Sequence, residues 1–229
     1  MLKIEHTEVY GWEAAIRGMR NPMNSWDKSD SYATYIEDPQ TMERAQYQYF
    51  IGDADKQLML KLAAGGPVHA KYRRMIVVTL DIDAPLYWWK EFETYRTGVI
   101  PNPVDLDMNS CSTMHKLDAR PLVLDDFSHE HLFGASLELL KATIKHINDC
   151  RESYVYLKSI GEDGRKCWEN MIQLLPTSYN QKRTLMLNYE VLVNIYKWRR
   201  HHKLDEWHTF CDWIESLPHS DIIIGEVSK

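Results

Sequence analysis

Two polar residues near the end of the chain, Asn188 and Arg199, stand eleven positions apart. The hydrophobic pattern predicts a helix from Asn180 to about His201, and eleven residues of a helix make about three turns. Asn188 and Arg199 would then share a face, with Leu192 and Ile195 between them. A partly buried arginine keeps its proton and needs an anion or carbonyl acceptors. Arg199 is therefore a candidate for contact with a ligand, and a salt bridge to an acidic residue is the alternative.

Two earlier segments also carry polar groups that could bind a ligand. His69 follows the break at Gly65-Gly66-Pro67, where a lone histidine is ordinarily a capping or surface residue. Further on, Tyr95 and Arg96 precede a loop that leads to the hydroxyl-rich stretch Asn109–Ser112. A guanidinium beside short hydroxyl donors suits a phosphate or nucleotide, and an ordinary polar loop is the alternative.

Histidines near the C-terminus permit a metal-dependent hydrolase as another hypothesis. His201, Asp205 and His208 fall at positions i, i+4 and i+7, and His129 and His131 could add ligands. Histidines close to a helix C-terminus also complement the helix dipole, which is the alternative explanation. We therefore expect no metal among the ligands of the site.

An apolar stripe in the predicted last helix permits a third hypothesis, a helical protein that presents this stripe to a partner. Such a stripe more often forms core or subunit interface. Its members are Leu204, Trp207, Cys211, Ile214 and Leu217.

Composition bounds the class of protein. The 229 residues are 44% hydrophobic and 26% charged, which predicts one globular domain spanning 1–229. A net charge of −6 argues against non-specific binding of nucleic acid. Four widely spaced cysteines favour reduced thiols in a cytoplasmic protein. No signal peptide is visible, and the most apolar run, Met75 to Leu80, is too short to span a bilayer.

The periodic segments predict an α+β domain with a helix-rich C-terminal half. A β-branched strand is expected from Arg74 to Ile82, and a loop from Gly98 to Cys111. The expected helices are Thr41–Phe50, Lys56–Ala64, the aromatic segment Leu86–Tyr95, about Glu130–Ile160 capped by Ser128 or Asp126, about Gly164–Leu175, Asn180 to about His201, and Lys203–Leu217.

The order of these motifs along the chain resembles that of the flavin-dependent thymidylate synthases. That family has His-Ala, a strand, Ala-Pro, an Arg-His-Arg triplet and a later Ser, then Leu-Pro, and Asn with Arg eleven positions on. The matching residues here are His69-Ala70, Ala84-Pro85, Thr94-Tyr95-Arg96, Ser112, Leu175-Pro176, Asn188 and Arg199, followed by Asp205-Glu206-Trp207. The resemblance covers roughly Asp55 to Trp213, and the Asn-to-Arg spacing is its most specific element.

Several positions differ from the family pattern. Thr94 and Tyr95 replace the first two residues of the triplet, and Lys90-Glu91 replaces the preceding Arg-Gln. The loop before Ser112 is longer than in the family. Ser110 occupies the position of a Glu in the family. Met114 occupies the position of an Arg that helps to hold the substrate phosphate, and basic residues follow shortly after it.

The resemblance implies a thymidylate synthase-complementing fold with an antiparallel sheet. It also implies reductive methylation of dUMP to dTMP by methylene-tetrahydrofolate, with FAD reduced by NADPH. Members are homotetramers, so a tetramer is expected here. Charge and hydropathy, by contrast, are what predict neither a nucleic acid polymer nor a membrane as partner. Two alternatives keep the same fold: a nucleotide-binding pseudo-enzyme, and a pyrimidine nucleotide hydroxymethylase.

The resemblance also assigns roles to six residues. Arg199 would bind the substrate and stabilise charge on the uracil carbonyl, an electrostatic role. Ser112 would contact the dUMP phosphate. The expected cofactor-binding residues are His69 near the flavin ring, Tyr95 stacked on a ring, Arg96 at the flavin or its phosphates, and Asn188 through amide hydrogen bonds.

Overall fold

Strands and helices alternate through the first half of the chain, and helices dominate the second half. The computed structural model describes residues 2–36, 46–96 and 108–225. The strands are β1 Lys3–Tyr10, β2 Tyr32–Ile36, β3 Gln46–Phe50, β4 Val77–Pro85, β5 Met108–Ser110 and β6 Asn180–Asn188. The helices are α1 Trp12–Arg20, α2 Asp53–Ala64, α3 Leu86–Phe92, α4 Ala135–Ser159, α5 Arg165–Leu174, α6 Tyr189–Arg199, α7 Asp205–Ser216 and α8 Asp221–Ile224.

Four of the strands form one sheet in the order β1-β4-β6-β5. The short strand β5 runs antiparallel to β6, with Ser110 opposite Arg183. Strands β2 and β3 form a separate antiparallel pair, in which Tyr32 lies opposite Phe50. The chain groups into two compact units: unit 1 comprises Met1–Glu5 and Leu80–Leu185, and unit 2 comprises His6–Thr79 and Met186–Lys229.

The core of unit 1 lies between α4 and α5. Helix α4 buries Leu140, Ile144 and Ile147, which recur at helical spacing, and Met171 of α5 packs in the same cluster. Aromatic side chains of α3 form a second buried group, in which the rings of Trp88 and Trp89 meet edge to face. These contacts give unit 1 an apolar interior of its own.

The core of unit 2 combines the N-terminal helices with α6, α7 and α8. Met59 of α2, Ile195 of α6 and Trp207 of α7 are fully buried. Two buried ion pairs accompany them: Arg20 with Asp55 at 2.6 Å, and Arg73 with Glu190 at 3.7 Å. Buried charges of this kind need their partners, because an isolated charge in an apolar interior is costly.

Most of the predicted elements are confirmed with shifted boundaries. Helices are present at 53–64, 135–159, 165–174 and 205–216, and the aromatic segment is α3 followed by a 3-10 turn. Helix α4 begins after Gly134, so the predicted caps Ser128 and Asp126 are wrong. Strand β4 begins at Val77, because a 3-10 turn occupies Lys71–Met75. The predicted α+β class with a helix-rich C-terminal half is confirmed.

Three predictions of secondary structure are wrong for the described residues. The predicted helix 41–50 is strand β3 over Gln46–Phe50, and its first five residues lie outside the described ranges. The predicted loop 98–111 contains strand β5, and residues 98–107 again lie outside those ranges. The predicted helix from Asn180 is strand β6 up to Asn188 and becomes helical only at Tyr189. In the described part of the chain, no helix is long and apolar enough to cross a bilayer.

Candidate functional site

Arg199 is the last residue of α6 in unit 2, and its guanidinium lies over an indole ring. Its Cζ is 4.8 Å from the ring centroid of Trp207. Trp207 is fully buried and meets Phe210 edge to face, so the ring is a rigid platform. A planar guanidinium on an aromatic face gains a cation–π contact while its N–H groups remain directed outward in the plane. This arrangement suits Arg199 to donate to a carbonyl or anionic group.

Contacts between α6 and α7 hold this pair in position. The hydroxyl of Tyr196 on α6 donates to Glu215 Oε1 on α7 at 2.6 Å. Burial and this hydrogen bond raise the pKa of Tyr196 to about 12, so its hydroxyl stays a donor at physiological pH. The neighbouring Arg200 forms salt bridges to Asp212 at 2.5 Å and to Glu215 at 3.2 Å. Arg199 and Arg200 therefore differ in environment although they are adjacent.

Asn188 lies at the other end of α6 and caps it. Its backbone is extended, and its side-chain Oδ1 accepts a hydrogen bond from the backbone N–H of Val191 at 3.0 Å. The expectation that it lies inside a long helix is wrong, because the residues before it belong to β6. At 1.5 Å per residue, α6 separates Asn188 from Arg199 by about 16 Å along its axis. One small ring therefore cannot meet both side chains, and the two would need different parts of a ligand.

His69 is exposed in the turn after α2. Its backbone N–H donates to Gly66 O at 3.0 Å, and its ring packs against Gly65, where an added Cβ would lie 3.2 Å from His69 Cδ2. The ring thus stands at the surface of unit 2, where it can contact a ligand without moving the core.

The other three predicted site residues lie in unit 1. Tyr95 is half-buried in the 3-10 turn Glu93–Arg96, which follows α3. Arg96 ends that turn, and its side chain lies outside what the structure describes. Ser112 is exposed after β5, and its Oγ accepts a hydrogen bond from the backbone N–H of His115 at 2.9 Å. The six residues are thus divided equally between the two units, with His69, Asn188 and Arg199 in unit 2.

Arg183 is a polar residue of unit 1 that the sequence prediction missed. Its Cζ lies 4.4 Å from the Trp89 ring centroid, and its Nη1 donates to Glu93 at 2.6 Å. Its Nε donates to Gln181 Oε1 at 3.0 Å, and the Gln181 amide donates to Cys111 O at 2.6 Å. This chain of hydrogen bonds connects the Glu93–Arg96 turn to the segment that leads to Ser112. Arg183 was missed because a helix was predicted where β6 lies. Gln181 and Arg183 nevertheless have the i, i+2 spacing of one strand face.

The structure describes the residues of two alternative hypotheses. Trp207, Cys211 and Ile214 are fully buried within unit 2, so the predicted partner-binding stripe of α7 is core. For the metal hypothesis, His208 Nδ1 lies 3.7 Å from Asp205 Oδ1. Within residues 2–36, 46–96 and 108–225, no group of three or more His, Cys, Asp or Glu side chains is arranged to hold a metal ion.

Comparisons with known proteins identify the fold. No protein-family model matches the sequence, and no curated protein matches it either. One similar solved structure is the flavin-dependent thymidylate synthase ThyX from Helicobacter pylori, complexed with FAD and dUMP. It superimposes with a TM-score of 0.62 at 15% sequence identity, over 96% of this chain and 97% of that one. A second structure of ThyX from Helicobacter pylori, with FAD and dUMP, gives a TM-score of 0.63 at 14% identity over the whole of both chains.

A third structure with this similarity is a UMP/dUMP methylase, PolB from Streptomyces cacaoi, bound with 5-Br dUMP. It has a TM-score of 0.53 at 12% identity, over 94% of this chain and 89% of that one. The chain therefore has the fold of the flavin-dependent thymidylate synthases, as the sequence resemblance indicated, at a sequence identity that supports the fold alone.

Proposed function

We propose that this protein is a flavin-dependent enzyme that modifies a pyrimidine nucleotide. The reaction we infer is reductive methylation of dUMP to dTMP, with methylene-tetrahydrofolate as one-carbon donor and FAD and NADPH as redox partners. The observation that carries the proposal is the guanidinium of Arg199, held half-buried on the face of Trp207. Support also comes from the shared fold, since two of the similar structures contain FAD and dUMP.

Arg199 has the properties of a group that stabilises developing negative charge. A guanidinium is a permanently charged group with a planar set of donors, and the Trp207 ring limits the directions in which the N–H groups of Arg199 point. When C5 of a uracil becomes nucleophilic, charge moves onto a ring carbonyl oxygen. A guanidinium fixed beside that oxygen would stabilise the charge without reorganising in the transition state.

The donor set of the chain fits a flavin and a pyrimidine through their ring edges. In unit 2, the cap of α6 uses only the carbonyl oxygen of Asn188 and leaves its NH2 group to donate to a ring carbonyl. His69 is exposed and the Tyr95 ring is half-buried, so each can be reached by a bound ring. We assign Arg96 to the flavin or its phosphates and Ser112 to the nucleotide phosphate. When bound, the flavin supplies the hydride, and the protein supplies binding and electrostatics.

A second candidate function is nucleotide binding without hydride transfer, or hydroxymethylation of the same nucleotide. It is favoured by Tyr95, an uncharged ring at a position where the resembled family carries an imidazole. This replacement removes a group that can carry positive charge from unit 1. The mass of the product formed from dUMP distinguishes methylation from hydroxymethylation, and unchanged dUMP indicates binding alone.

The test begins with the visible spectrum of the purified protein, recorded with and without dUMP. We expect bound flavin, and turnover of dUMP in the presence of NADPH and methylene-tetrahydrofolate. Arg199→Ala should lower kcat by about 10² to 10³-fold, as the loss of one transition-state donor does. Arg200→Ala is the matched control, because its charge is paired with Asp212 and Glu215 and we expect it to keep normal turnover. A protein that takes up no FAD even with dUMP, or an Arg199→Ala variant with normal kcat, would contradict the proposal.

A further inference from the structure

Unit 2 contains a groove whose described lining includes none of the six predicted site residues. The groove has a volume of about 1010 Å³ and lies between the end of β1, the first turn of α1, strand β3 and the segment before α8. Ring side chains dominate its lining: Tyr10, Trp12, Tyr47, Tyr49, Phe50 and His219. A concave surface of this size, largely apolar with few polar groups, is typical of a small-molecule site.

The rings of this groove are rigid yet accessible. Trp12 makes edge-to-face contacts with Tyr189, at 5.4 Å between ring centroids, and with His219, at 5.2 Å. Tyr10 and Tyr47 remain 51% and 50% exposed, so their faces are open to a ligand. The hydroxyl of Tyr47 donates to Glu13 Oε2 at 3.0 Å, which fixes that ring against the first turn of α1. Fixed aromatic faces of this kind bind planar rings by stacking at a small entropic cost.

His219 adds a hydrogen-bond donor with a defined tautomer. Its Nδ1 lies 3.0 Å from the Nζ of Lys56, which also pairs with Asp221. An ammonium can only donate, so Nδ1 must accept, and the ring proton is on Nε2. Burial and the charge of Lys56 lower the pKa of His219, which keeps the ring neutral at physiological pH. The ring can therefore donate from Nε2 but offers no positive charge.

The backbone of His219 is held in an unfavourable conformation. Its φ is +54°, in the left-handed region that side-chain-bearing residues rarely adopt. The preceding Pro218 is fixed by its carbonyl oxygen, which accepts from the Tyr189 hydroxyl at 2.6 Å. Strained residues that the surrounding structure holds in place occur preferentially at ligand-binding positions. This is a second observation that points to His219, independent of the lining of the groove.

We propose that this groove binds a planar bicyclic heterocycle with an acceptor atom on its edge, the chemistry of a purine base. The two fused rings stack against Trp12 and the tyrosines, and the Nε2–H of His219 donates to a ring nitrogen. A purine is favoured over a single-ring base because its larger face covers more of the aromatic lining. None of Asn188, His69 and Arg199, to which the proposed pyrimidine and flavin chemistry is assigned, belongs to the described lining of the groove.

Calorimetric titration with two bare heterocycles of equal size tests the proposal. Purine has ring-nitrogen acceptors, and indole has none. The intact protein should bind purine about tenfold more tightly than indole, the value of one hydrogen bond. His219→Phe should remove this preference by weakening purine about tenfold and leaving indole unchanged. His219→Gln, which restores an N–H donor, should recover purine binding.

Further variants separate the groove from other surfaces. Tyr10→Ala removes an exposed ring, so it should leave the circular dichroism spectrum unchanged while weakening both heterocycles. Tyr156→Ala removes a 63% exposed ring on α4 and should change neither affinity. Arg199→Ala should also leave purine binding intact, which keeps this result independent of the enzymatic proposal. The proposal is overturned if purine and indole bind equally, if purine does not bind, if His219→Phe binds purine normally, or if dUMP or FAD displaces purine.

Discussion

Asp55 shows how single residues organise unit 2. Its carboxylate is fully buried and accepts hydrogen bonds from Arg20 Nε at 2.6 Å, Ser29 Oγ at 2.6 Å and Ser31 Oγ at 2.7 Å. The neighbouring Asp30 accepts from the backbone N–H of Ala54 at 2.8 Å, and so caps the first turn of α2 from a distance. Together these bonds fix the segment that precedes β2 onto the start of α2.

Removing this carboxylate should destabilise the protein strongly. Asp55→Ala leaves Arg20 buried without its counter-ion, and we expect a loss of about 3 to 5 kcal/mol in the free energy of unfolding. Asp212→Ala is the control, because it breaks a solvent-exposed pair with Arg200 and should cost below about 1 kcal/mol. Urea unfolding followed by circular dichroism measures the free energy of unfolding of both variants. Equal losses would show that the buried pair of Asp55 stabilises the protein no more than the exposed pair of Asp212 does.

The same carboxylate predicts a pH dependence of stability. Burial raises the pKa of Asp55, but hydrogen bonds from Ser29, Ser31 and Arg20 outweigh this and lower the pKa overall. A lowered pKa means that the stabilisation is complete above the unfolded value of about 3.9 and is lost as the pH falls through the folded value. Below about pH 4, the intact protein should therefore lose stability more steeply than Asp55→Asn, in urea unfolding series at several acidic pH values.

At the scale of elements, the junction of β6 and α6 shows what the sequence could predict. The segment from Gln181 to Leu187 is rich in Lys, Arg, Leu and Met, which favour helices, and it leads directly into a real helix. Pairing with β4 and β5 overrides that preference, and Leu185 and Leu187 are buried at the spacing of a strand. The eleven-residue spacing of Asn188 and Arg199 was visible in sequence, but the cap at Asn188 was not.

The contacts around the site residues could be predicted less well from the sequence. The contact of Arg199 with Trp207 depends on how α6 and α7 pack, and no local pattern encodes it. The aromatic groove likewise combines β3, which the sequence suggested was helical, with His219, whose left-handed backbone has no sequence signal. The chemical type of each side chain could be predicted at these positions. The residues that it contacts from distant parts of the sequence could not.

The cap at Asn188 allows structural and ligand-binding roles to be separated. Asn188→Ala should destabilise the protein by about 1 kcal/mol, because the N–H of Val191 loses its acceptor. Asn188→Asp keeps an acceptor oxygen at the cap but removes the NH2 group, so its stability should be close to normal. If Asn188 binds flavin, Asn188→Asp should still weaken FAD binding, measured by absorbance titration. Normal binding by a stable Asn188→Asp variant would restrict Asn188 to capping.

At the scale of the whole molecule, the fold persists while few residues are shared with proteins of the same architecture. The superposition covers nearly the full chain at 15% identity. This is the expected behaviour of a fold specified by the pattern of burial, since cores tolerate extensive exchange among apolar residues. Function depends instead on particular side chains, so the replacement of two triplet residues by Thr94 and Tyr95 bears on the proposed activity more than on the architecture.

We propose that the protein assembles as a homotetramer, as the family resemblance implies. This helix of 25 residues buries one stripe against α5 but leaves Leu139 69%, Val155 42% and Tyr156 63% exposed. Exposed apolar side chains are candidates for burial against another chain of an assembly. Light scattering should give a mass of four times the 27.0 kDa chain, and Leu139→Glu with Tyr156→Glu should shift it to smaller species. Lys145→Glu, a charge change on an exposed residue of the same helix, is the control for added acidity. A chain that remains monomeric at micromolar concentration would contradict the tetramer. Assembly would then not explain why these apolar side chains are exposed.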